Sequence, residues 1–363
     1  RRIRSVQSTM KITRAMELIS ASRVARAQQR VQQARPYTDE ITSALESVVS
    51  TEVLLSHPLL EQRDEANAAA VLVVTSDRGL AGPYNANVLR TAEELFARLR
   101  DDGYRVRLLV RDPERSPRRS DDAEYVTGDL ENPDTLRSAL SGCQAVHVSV
   151  RGGPTAEQFD RIEHHATAPT GPARGPSRRD RLTYVSHSLA APDAPAADLR
   201  AKFHAEEAIA ASGVPYTIFR PTYFMDTLPR HLRGRRALVL GRQPHALHMV
   251  AAADFARLVS RCLAVPDAAG KRLDVRGPEA ITIPDALRTY CHQLAPGTRV
   301  VAMPLWFMTL ADRTILRRQL RGTLGLMRAL QQQGERGDPR QTTQLLGPVG
   351  TTLTEWLQTQ APV

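Results

Sequence analysis

The amino-acid sequence predicts an α/β protein: a doubly wound parallel sheet with a long N-terminal helical arm and a small, mostly helical C-terminal cap. Two observations carry this prediction. Short apolar segments alternate with segments of helical spacing between residues 71 and 221, and such alternation favours a parallel sheet with right-handed crossovers. Residues 3–35 instead repeat apolar side chains at three-to-four spacing, with no Gly or Pro before Pro36, which predicts one long helix.

The predicted sheet is organised around residues 71–90. Residues 71–74 form an apolar run, a Gly-bearing turn follows, and helical spacing begins at Val88. A strand, a tight turn and a helix in this order are typical of the opening unit of a nucleotide-binding sheet. The polar stretch before it, residues 61–70, is a predicted linker.

The remaining elements follow along the chain. Further strands are predicted at 104–110, 123–127, 145–150, 182–186 and 216–219, and helices within 128–142 and at 197–212, 281–294 and 305–330. Residues 166–180 carry three prolines and two glycines where a helix is expected, so they are either a loop or a local change of reading frame. The predicted boundaries are an arm at 1–68, the sheet domain at 69–227 and a cap at 228–363.

Composition and charge narrow the function classes. Residues 1–36 carry nine Lys and Arg and only one acid, Glu17, so they account for most of the net charge of +10. No nucleic-acid-binding motif accompanies these basic residues, so no nucleic-acid partner is expected. No apolar run approaches the roughly 18–20 residues of a membrane span. The three cysteines, Cys143, Cys262 and Cys291, lack the spacing of a disulfide framework or a metal site, which favours a reduced, cytoplasmic compartment and no metal.

Two segments before residue 100 resemble one known family. IRSVQSTMKITRAMELISASRVARAQQRV and VLVVTSDRGLAGPYNANVLRTAEEL are similar to the first helix and the first strand–helix of the gamma subunit of F-type ATP synthase. The resemblance implies a central-stalk rotor whose residues 1–50 contact the alpha and beta subunits, at the inner face of the plasma membrane. The C-terminal sequence GTTLTEWLQTQAPV does not resemble the long helix that completes that rotor.

Later segments resemble a different family. LLVRDPER, VTGDLENPDTLRSALSGCQAVHV, LTYVS and AEEAIAASGVPYTIFRPTYFMD are similar to NmrA-like proteins, a branch of the atypical short-chain dehydrogenases. This resemblance implies a Rossmann-like sheet that binds NADPH or NADH, and a small-molecule substrate. The domain at 69–227 would therefore combine a gamma-like first strand and helix with NmrA-like strands.

A cofactor-binding turn follows the first strand. The NmrA-like pattern is T-G-x-x-G-x-x-G, and this chain reads T-S-D-R-G-L-A-G from Thr75, so Ser76 replaces the first glycine while Gly79 and Gly82 keep their places. Such glycines let backbone N–H groups approach a pyrophosphate, and Arg78 adds positive charge. The alternative is that this turn is the gamma family's own corner and binds nothing.

Three other positions complete the expected cofactor site. Arg111, at the end of the second strand, lies where the ribose is read, and an arginine there favours the 2′-phosphate of NADPH. Asp129 and Leu130 correspond to the turn that contacts the adenine in NmrA-like proteins. Ser149 ends the fourth strand, where the nicotinamide ribose would pass.

The sequence supports catalysis less than binding. Short-chain dehydrogenases donate a proton from a Tyr-x-x-x-Lys pair, and this chain contains no such pair. Ser186 matches the family's catalytic serine, and Lys202 is the lysine in the following helix; a strand-end hydroxyl and a solvated amine are the alternatives. Glu206 and Glu207 are expected on a solvated helix face, and Glu206 is the better match to the family's inward-pointing acid. Tyr223 and its neighbours would line either the substrate side or the core.

These observations leave three readings. The first is an NADPH-binding protein, acting as an oxidoreductase or isomerase of a small molecule or as a redox-sensing binder without turnover. The second is a gamma chain of ATP synthase, impaired because its C-terminal helix is absent. The third is a chimera in which neither function is intact.

Overall fold

The computed structural model describes residues 68–73, 94–110, 124–128, 132–149, 181–314 and 321–360. All of them belong to the second of the two units into which the chain divides, Glu65–Val363. The predicted helix at 3–35, most of the linker, the Gly-bearing turn and the segment 166–180 lie outside the described residues.

Seven parallel strands form the main sheet, in the order β3-β2-β1-β4-β5-β6-β10. Their bounds are Ala68–Val73 (β1), Arg105–Val110 (β2), Glu124–Thr127 (β3), Ala145–Ser149 (β4), Arg181–Val185 (β5), Tyr216–Pro221 (β6) and Lys271–Val275 (β10). The doubly wound parallel sheet is therefore confirmed. β1 lies at its centre, where Val71 pairs with Leu108 of β2 and with His147 of β4.

The first strand begins earlier than the sequence predicts. Ala68, Ala69 and Ala70 belong to β1, although they were expected in the linker, and each pairs with a residue of β2. A strand with a neighbour on both sides is held by main-chain hydrogen bonds, so three alanines extend it despite their weak β propensity.

Helices cover both faces of the sheet. On one face lie the helix over 94–101 (α1) and Ala252–Ala264 (α4), packed through Leu99, Phe219 and Phe255. On the other lie Pro133–Leu140 (α2) and Ala197–Ala211 (α3), packed through Val146 and Ile218. α2 starts as the sequence predicts, since the Asn132 side chain accepts from the N–H of Asp134 and a proline occupies the first turn.

Two arginines connect the amino edge of the sheet to helix ends. Arg181, at the start of β5 and only 3% exposed, donates to the carbonyl oxygens of Cys262 and Val265 at the end of α4 and to the Thr217 hydroxyl. Arg107 of β2 donates to the carbonyl of Ala139 at 2.9 Å, near the end of α2. Helices that connect parallel strands end at this edge, where their free carbonyls and partial negative charge favour cations.

The cap contains more β-structure than expected. The last strand of the main sheet, β10, lies within the segment assigned to the cap from its sequence. Five short strands form two further sheets: Leu232–Arg233 (β7), Arg236–Leu240 (β8) and Arg299–Met303 (β12) in one, Ala246–His248 (β9) and Ala280–Thr282 (β11) in the other. Such short strands are hard to see in a sequence because each contains only one or two inward-facing residues.

Helices make up the rest of the cap. They are Ile283–Leu294 (α5), Leu305–Thr314 (α6), Arg321–Gln333 (α7), Arg340–Leu346 (α8) and Leu353–Gln358 (α9), with short 3-10 turns at Met225–His231 and Pro266–Ala268. Within the predicted helix 305–330, the structure describes α6 and the start of α7, and residues 315–320 lie outside the description. A core that includes Leu287, Tyr290, Leu330 and Trp356 joins these helices to the small sheet.

Among the described helices, none combines the length and apolar character needed to cross a membrane. Within the same residues, no group of His, Cys, Asp and Glu side chains is arranged to hold a metal ion.

Candidate functional site

The strand order creates a crevice at the carboxyl edge of the sheet. β1 and β4 are neighbours, and the chain winds outward from them in opposite directions, towards β3 on one side and β10 on the other. Ligands of such sheets bind outside the carboxyl ends of the strands at this switch point. β1 ends at Val73 and β4 ends at Ser149, so the predicted Ser149 lies at the crevice, partly exposed.

The predicted Ser186 lies directly after β5, at the same edge. Its backbone N–H donates to the carbonyl of Phe219 at 2.8 Å, and its side chain is 3% exposed. The hydroxyl donates to the carboxylate of Glu206. Ser186 is therefore anchored to α3, and its hydroxyl proton points at a buried acid.

Glu206 is the centre of a buried ion-pair network. It is fully buried, so the solvated helix face expected for both glutamates is wrong for Glu206, whereas the side chain of Glu207 is 54% exposed. The Arg220 Nε donates to Glu206 Oε1 at 3.0 Å, and the Arg272 Nε lies 3.3 Å from Oε2. Burial alone would lower the pKa of Arg220, but the hydrogen bond and charge of Glu206 raise it above the ordinary value. The network links α3, β6 and β10.

Lys202 of α3 also reaches the end of β5. Its Nζ donates to the carbonyl of Val185 at 3.0 Å and lies 5.3 Å from the centroid of the Tyr184 ring. The structure thus brings Ser186 and Lys202 to the same strand end. Both make contacts within the protein there.

His187 stays neutral beside this lysine. Burial, together with the positive charge of Lys202, lowers its pKa to about 3. Its Nδ1 accepts from the backbone N–H of Leu189 at 3.0 Å, so the proton of the neutral ring resides on Nε2.

Ser188, which sequence reasoning missed, carries a buried hydroxyl with no hydrogen-bond partner in the described part of the chain. The residue is 7% exposed, its N–H donates to the carbonyl of Pro221 at 3.0 Å, and its Oγ finds no hydrogen-bond partner among the described residues. Buried hydroxyls are nearly always paired, so an orphan at this edge fits a polar ligand group. Only the neighbouring Ser186 could have drawn attention to it.

Tyr223 and Met225, expected on the substrate side or in the core, pack in the core of the cap. The Tyr223 hydroxyl lies 3.0 Å from Nε2 of His231, whose Nδ1 lies 2.7 Å from the carbonyl of Leu238. A carbonyl only accepts, so Nδ1 carries the proton and Nε2 accepts from the tyrosine. The phenolic proton is therefore directed at His231.

Most of the predicted cofactor residues fall outside the described residues. These are Thr75, Ser76, Arg78, Gly79, Gly82, Arg111, Asp129 and Leu130. Gly128, just before the last two, is described: a Cβ there would lie 2.6 Å from Cδ1 of Leu109 and 3.1 Å from Cβ of Thr135, so a larger residue between β2 and α2 would require Leu109 to move.

Comparison with protein families divides the chain. The model of a family described as "ATP synthase" matches residues 1–111, and that of a family described as "NAD(P)H-binding" matches residues 90–266. The chain therefore combines a first part that matches one family with a later part that matches another. Both resemblances found in the sequence are confirmed, and so is a nicotinamide cofactor at the level of the second family.

The relatives among known proteins match the first part. The ATP synthase gamma chain of Mycolicibacterium gilvum is 61% identical over 102 residues, which is 28% of this chain and 33% of that one. The gamma chain of Mycolicibacterium smegmatis is 59% identical over the same length. This chain therefore spans about a third of the length of the gamma chains it matches.

The similar solved structures cover most of the chain. The NADPH-dependent quinone oxidoreductase of Escherichia coli has a TM-score of 0.56 at 16% identity, covering 80% of this chain and 98% of that one. Triphenylmethane reductase of a Citrobacter species, crystallised with NADP(H), has the same TM-score and identity, covering 80% and 99%. A nucleoside-diphosphate-sugar epimerase of Staphylococcus aureus scores 0.55 at 17% identity, covering 80% and 99%. At these identities the likeness establishes the fold.

Proposed function

We propose that this chain binds NADPH in the crevice at the carboxyl edge of the sheet. The strand order is the observation that carries the proposal, because it makes the gamma-like strand β1 and the NAD(P)H-family strand β4 neighbours at the switch point. The residues present fit such a ligand: Ser149 ends β4, and Ser188 offers a buried hydroxyl with no partner among the described residues. The turn from Thr75 to Gly82 would hold the pyrophosphate, and Asp129 and Leu130 the adenine.

The preference for NADPH over NADH rests on Arg111. Its guanidinium would pair with the 2′-phosphate, and three further arginines follow within eight residues of it. NADH carries a hydroxyl at that position and would gain nothing from a cation.

The side chains at the end of β5 favour binding over turnover. When bound, the nicotinamide would supply a hydride to a substrate. The Ser186 hydroxyl donates a hydrogen bond to Glu206, and Lys202 donates one to the Val185 carbonyl, so both groups are engaged in holding β5 to α3. The sequence contains no Tyr-x-x-x-Lys pair to give a proton to a reduced substrate. A redox-sensing binder is therefore the favoured form, and a reductase or isomerase of a small molecule is the alternative.

Fluorescence titration of the purified chain with NADPH, and separately with NADH, tests the proposal. We expect saturable binding that prefers NADPH at least about tenfold, with Arg111→Ala bringing the two affinities together. Arg340→Ala, an exposed arginine on α8, is the matched control. If a folded sample binds neither nucleotide, the proposal is wrong.

Turnover is a separate measurement. The structural neighbours are named as a quinone oxidoreductase and a triphenylmethane reductase, so a quinone and a triphenylmethane dye are the acceptors to try first. Oxidation of NADPH dependent on either acceptor, and lost in Lys202→Met, would make the chain a reductase. NADPH binding without oxidation would support the binder.

A second candidate is a subunit role in ATP synthase. The 61% identity of its first part to gamma chains favours it, and residues 1–50 would then contact the alpha and beta subunits at the inner face of the plasma membrane. Co-purification of the intact chain with those two subunits would support it, whereas a free chain in the cytoplasm would count against it. If the chain neither assembles nor binds nucleotide, it is a chimera without either function.

A further inference from the structure

An apolar patch on α6 stands out on the surface of the cap. Trp306 is 70% exposed, Leu310 54% and Phe307 44%, and these are the large hydrophobic side chains exposed in the described part of the chain. Leu310 lies four residues after Trp306 and three residues after Phe307, so the three side chains share one face of the helix. The Trp306 and Phe307 rings also contact each other edge to face, with centroids 5.9 Å apart. A contiguous group of exposed large apolar side chains is typical of an interaction surface.

The helix is firmly attached on its other side. Leu305 packs against the core of the cap, and a Cβ on Gly241 would come within 3.1 Å of it. The Thr309 hydroxyl donates to the carbonyl of Leu305 and accepts from Arg328 of α7 at 3.3 Å. The three apolar side chains are therefore held outward by a fixed helix.

The surroundings of the patch are positively charged. Arg328 lies beside α6, and Arg242 follows the glycine that packs on Leu305; both are exposed. In the sequence from 299 to 328 there are six arginines and one acid, Asp312, which is buried. A patch with this surrounding charge favours a partner that is apolar inside and negative outside.

We propose that the α6 patch, defined as Trp306, Phe307 and Leu310, docks this protein on the surface of an anionic lipid bilayer. Tryptophan and phenylalanine prefer the boundary between headgroups and acyl chains, and arginines beside them attract anionic headgroups. A second copy of the chain fits less well, because a two-fold interface through the patch would bring like-charged arginines together. The proposal is independent of nucleotide binding.

Sedimentation of the full chain with phosphatidylglycerol vesicles, and with phosphatidylcholine vesicles, is the direct test. We expect binding to the anionic vesicles only, reduced about tenfold or more in Phe307→Ala/Leu310→Ala. Arg242→Gln/Arg328→Gln should also reduce it about tenfold, while Arg288→Gln/Arg340→Gln, which removes equal charge elsewhere, should change it less than about twofold.

The basic N-terminal segment is the reason why variants of the full chain are compared with one another. Residues 1–36 carry nine Lys and Arg and would attract anionic vesicles by charge alone. All the variants retain that segment. If the Phe307→Ala/Leu310→Ala chain binds as well as the wild type, the patch is not the docking surface and the proposal is overturned.

Brominated lipid gives an independent reading of contact. The chain has two tryptophans, and Trp356 is 4% exposed, so quenching by brominated phosphatidylglycerol should come from Trp306. Trp306→Phe should abolish the quenching but keep vesicle binding, because the ring stays apolar. Absence of quenching in the wild type would overturn the proposal. So would light scattering that shows a dimer of the wild type and a monomer of Phe307→Ala/Leu310→Ala, because the patch would then join two copies.

Discussion

Each edge of the parallel sheet holds an arginine within the protein, but the partners of the two arginines differ. At the amino edge, the buried Arg181 donates to a hydroxyl and to carbonyls at the end of α4. At the carboxyl edge, the partly exposed Arg220 pairs with the buried carboxylate of Glu206, which also accepts from Ser186. Helices end at the amino edge and supply free carbonyls there, so Arg181 needs no acid, whereas the more exposed Arg107 also pairs with Glu124 at 2.9 Å. At the carboxyl edge helices begin, and the counter-charge has to come from a side chain.

The largest effect is expected at the carboxyl edge. Glu206→Gln removes the charge that Arg220 and Arg272 share, and breaking a buried pair on one side destabilises by about 3–5 kcal/mol. Glu207→Gln, the same change at the adjacent and half-exposed residue, should cost less than about 1 kcal/mol. Urea unfolding followed by circular dichroism measures both. If Glu206→Gln and Glu207→Gln lose the same stability, the ion pairs of Glu206 do not stabilise the carboxyl edge more than an exposed pair does.

The amino edge should lose less. Arg181→Met leaves carbonyls unpaired without stranding a charge, and we expect about 2–3 kcal/mol of lost stability. Arg107→Met, whose side chain is 24% exposed, should cost about 1 kcal/mol. Neither change should alter the dissociation constant for NADPH. A weaker nucleotide affinity in Arg181→Met would contradict the assignment of the site to the opposite edge.

Acid should weaken the fold through a histidine of the carboxyl edge. The pKa of His187 is lowered to about 3 in the folded chain, from 6.5. Below about pH 6.5, His187 is therefore protonated in the unfolded chain but stays neutral in the folded chain. The free energy of unfolding consequently falls as the pH drops from about 6.5 towards about 3. Between pH 7.5 and 5.5 the loss from this residue is about 1.4 kcal/mol.

Urea unfolding of His187→Asn at the two pH values isolates that contribution. The asparagine oxygen can still accept from the Leu189 N–H, so the variant should lose about 1.4 kcal/mol less than the wild type on acidification. His292→Asn, on the exposed side of α5, should behave as the wild type does. An unchanged acid dependence in His187→Asn would show that this residue is protonated in the folded chain.

The smallest effect on stability should accompany a change in binding. Ser188→Ala removes a buried hydroxyl that has no partner among the described residues, so the stability should change by less than about 0.5 kcal/mol. If that hydroxyl contacts NADPH, the dissociation constant should rise several-fold in the same titration. An unchanged constant would remove Ser188 from the proposed site.

The sequence predicts the main sheet well because its strands are apolar runs separated by helical spacing. It places the start of β5 one residue late, since the charged Arg181 looks like a strand boundary until α4 supplies its carbonyl partners. The sequence does not single out β10, because three of the five residues in KRLDV are charged, and all three are partly exposed at the edge of the sheet. Long-range pairing decides both cases.

The site is predictable in type and less so in detail. The sequence places Ser186 at the end of the fifth strand and Lys202 in the helix that follows, and in the structure both lie at that strand end. It does not reveal that Glu206 is buried and accepts a hydrogen bond from Ser186, that Ser188 lacks a partner among the described residues, or that Glu335 accepts from the backbone N–H of His248 at 2.8 Å. Each depends on contacts between distant segments. The cofactor turn and Arg111 lie outside the described residues and stay predictions.

Residues 90–111 are matched by both family models, and α1 and β2 lie within this range. A recombination event in this stretch would replace the first strand–helix unit and leave the order of the later strands and helices unchanged. β1 pairs with β2 and β4 through main-chain hydrogen bonds, which do not depend on the side chains. A strand of different sequence can therefore occupy this position in the sheet. The first βα unit of such a protein can therefore be replaced by gene fusion while the sheet is kept. The turn of the incoming unit would then have to change in sequence before it could bind a nucleotide.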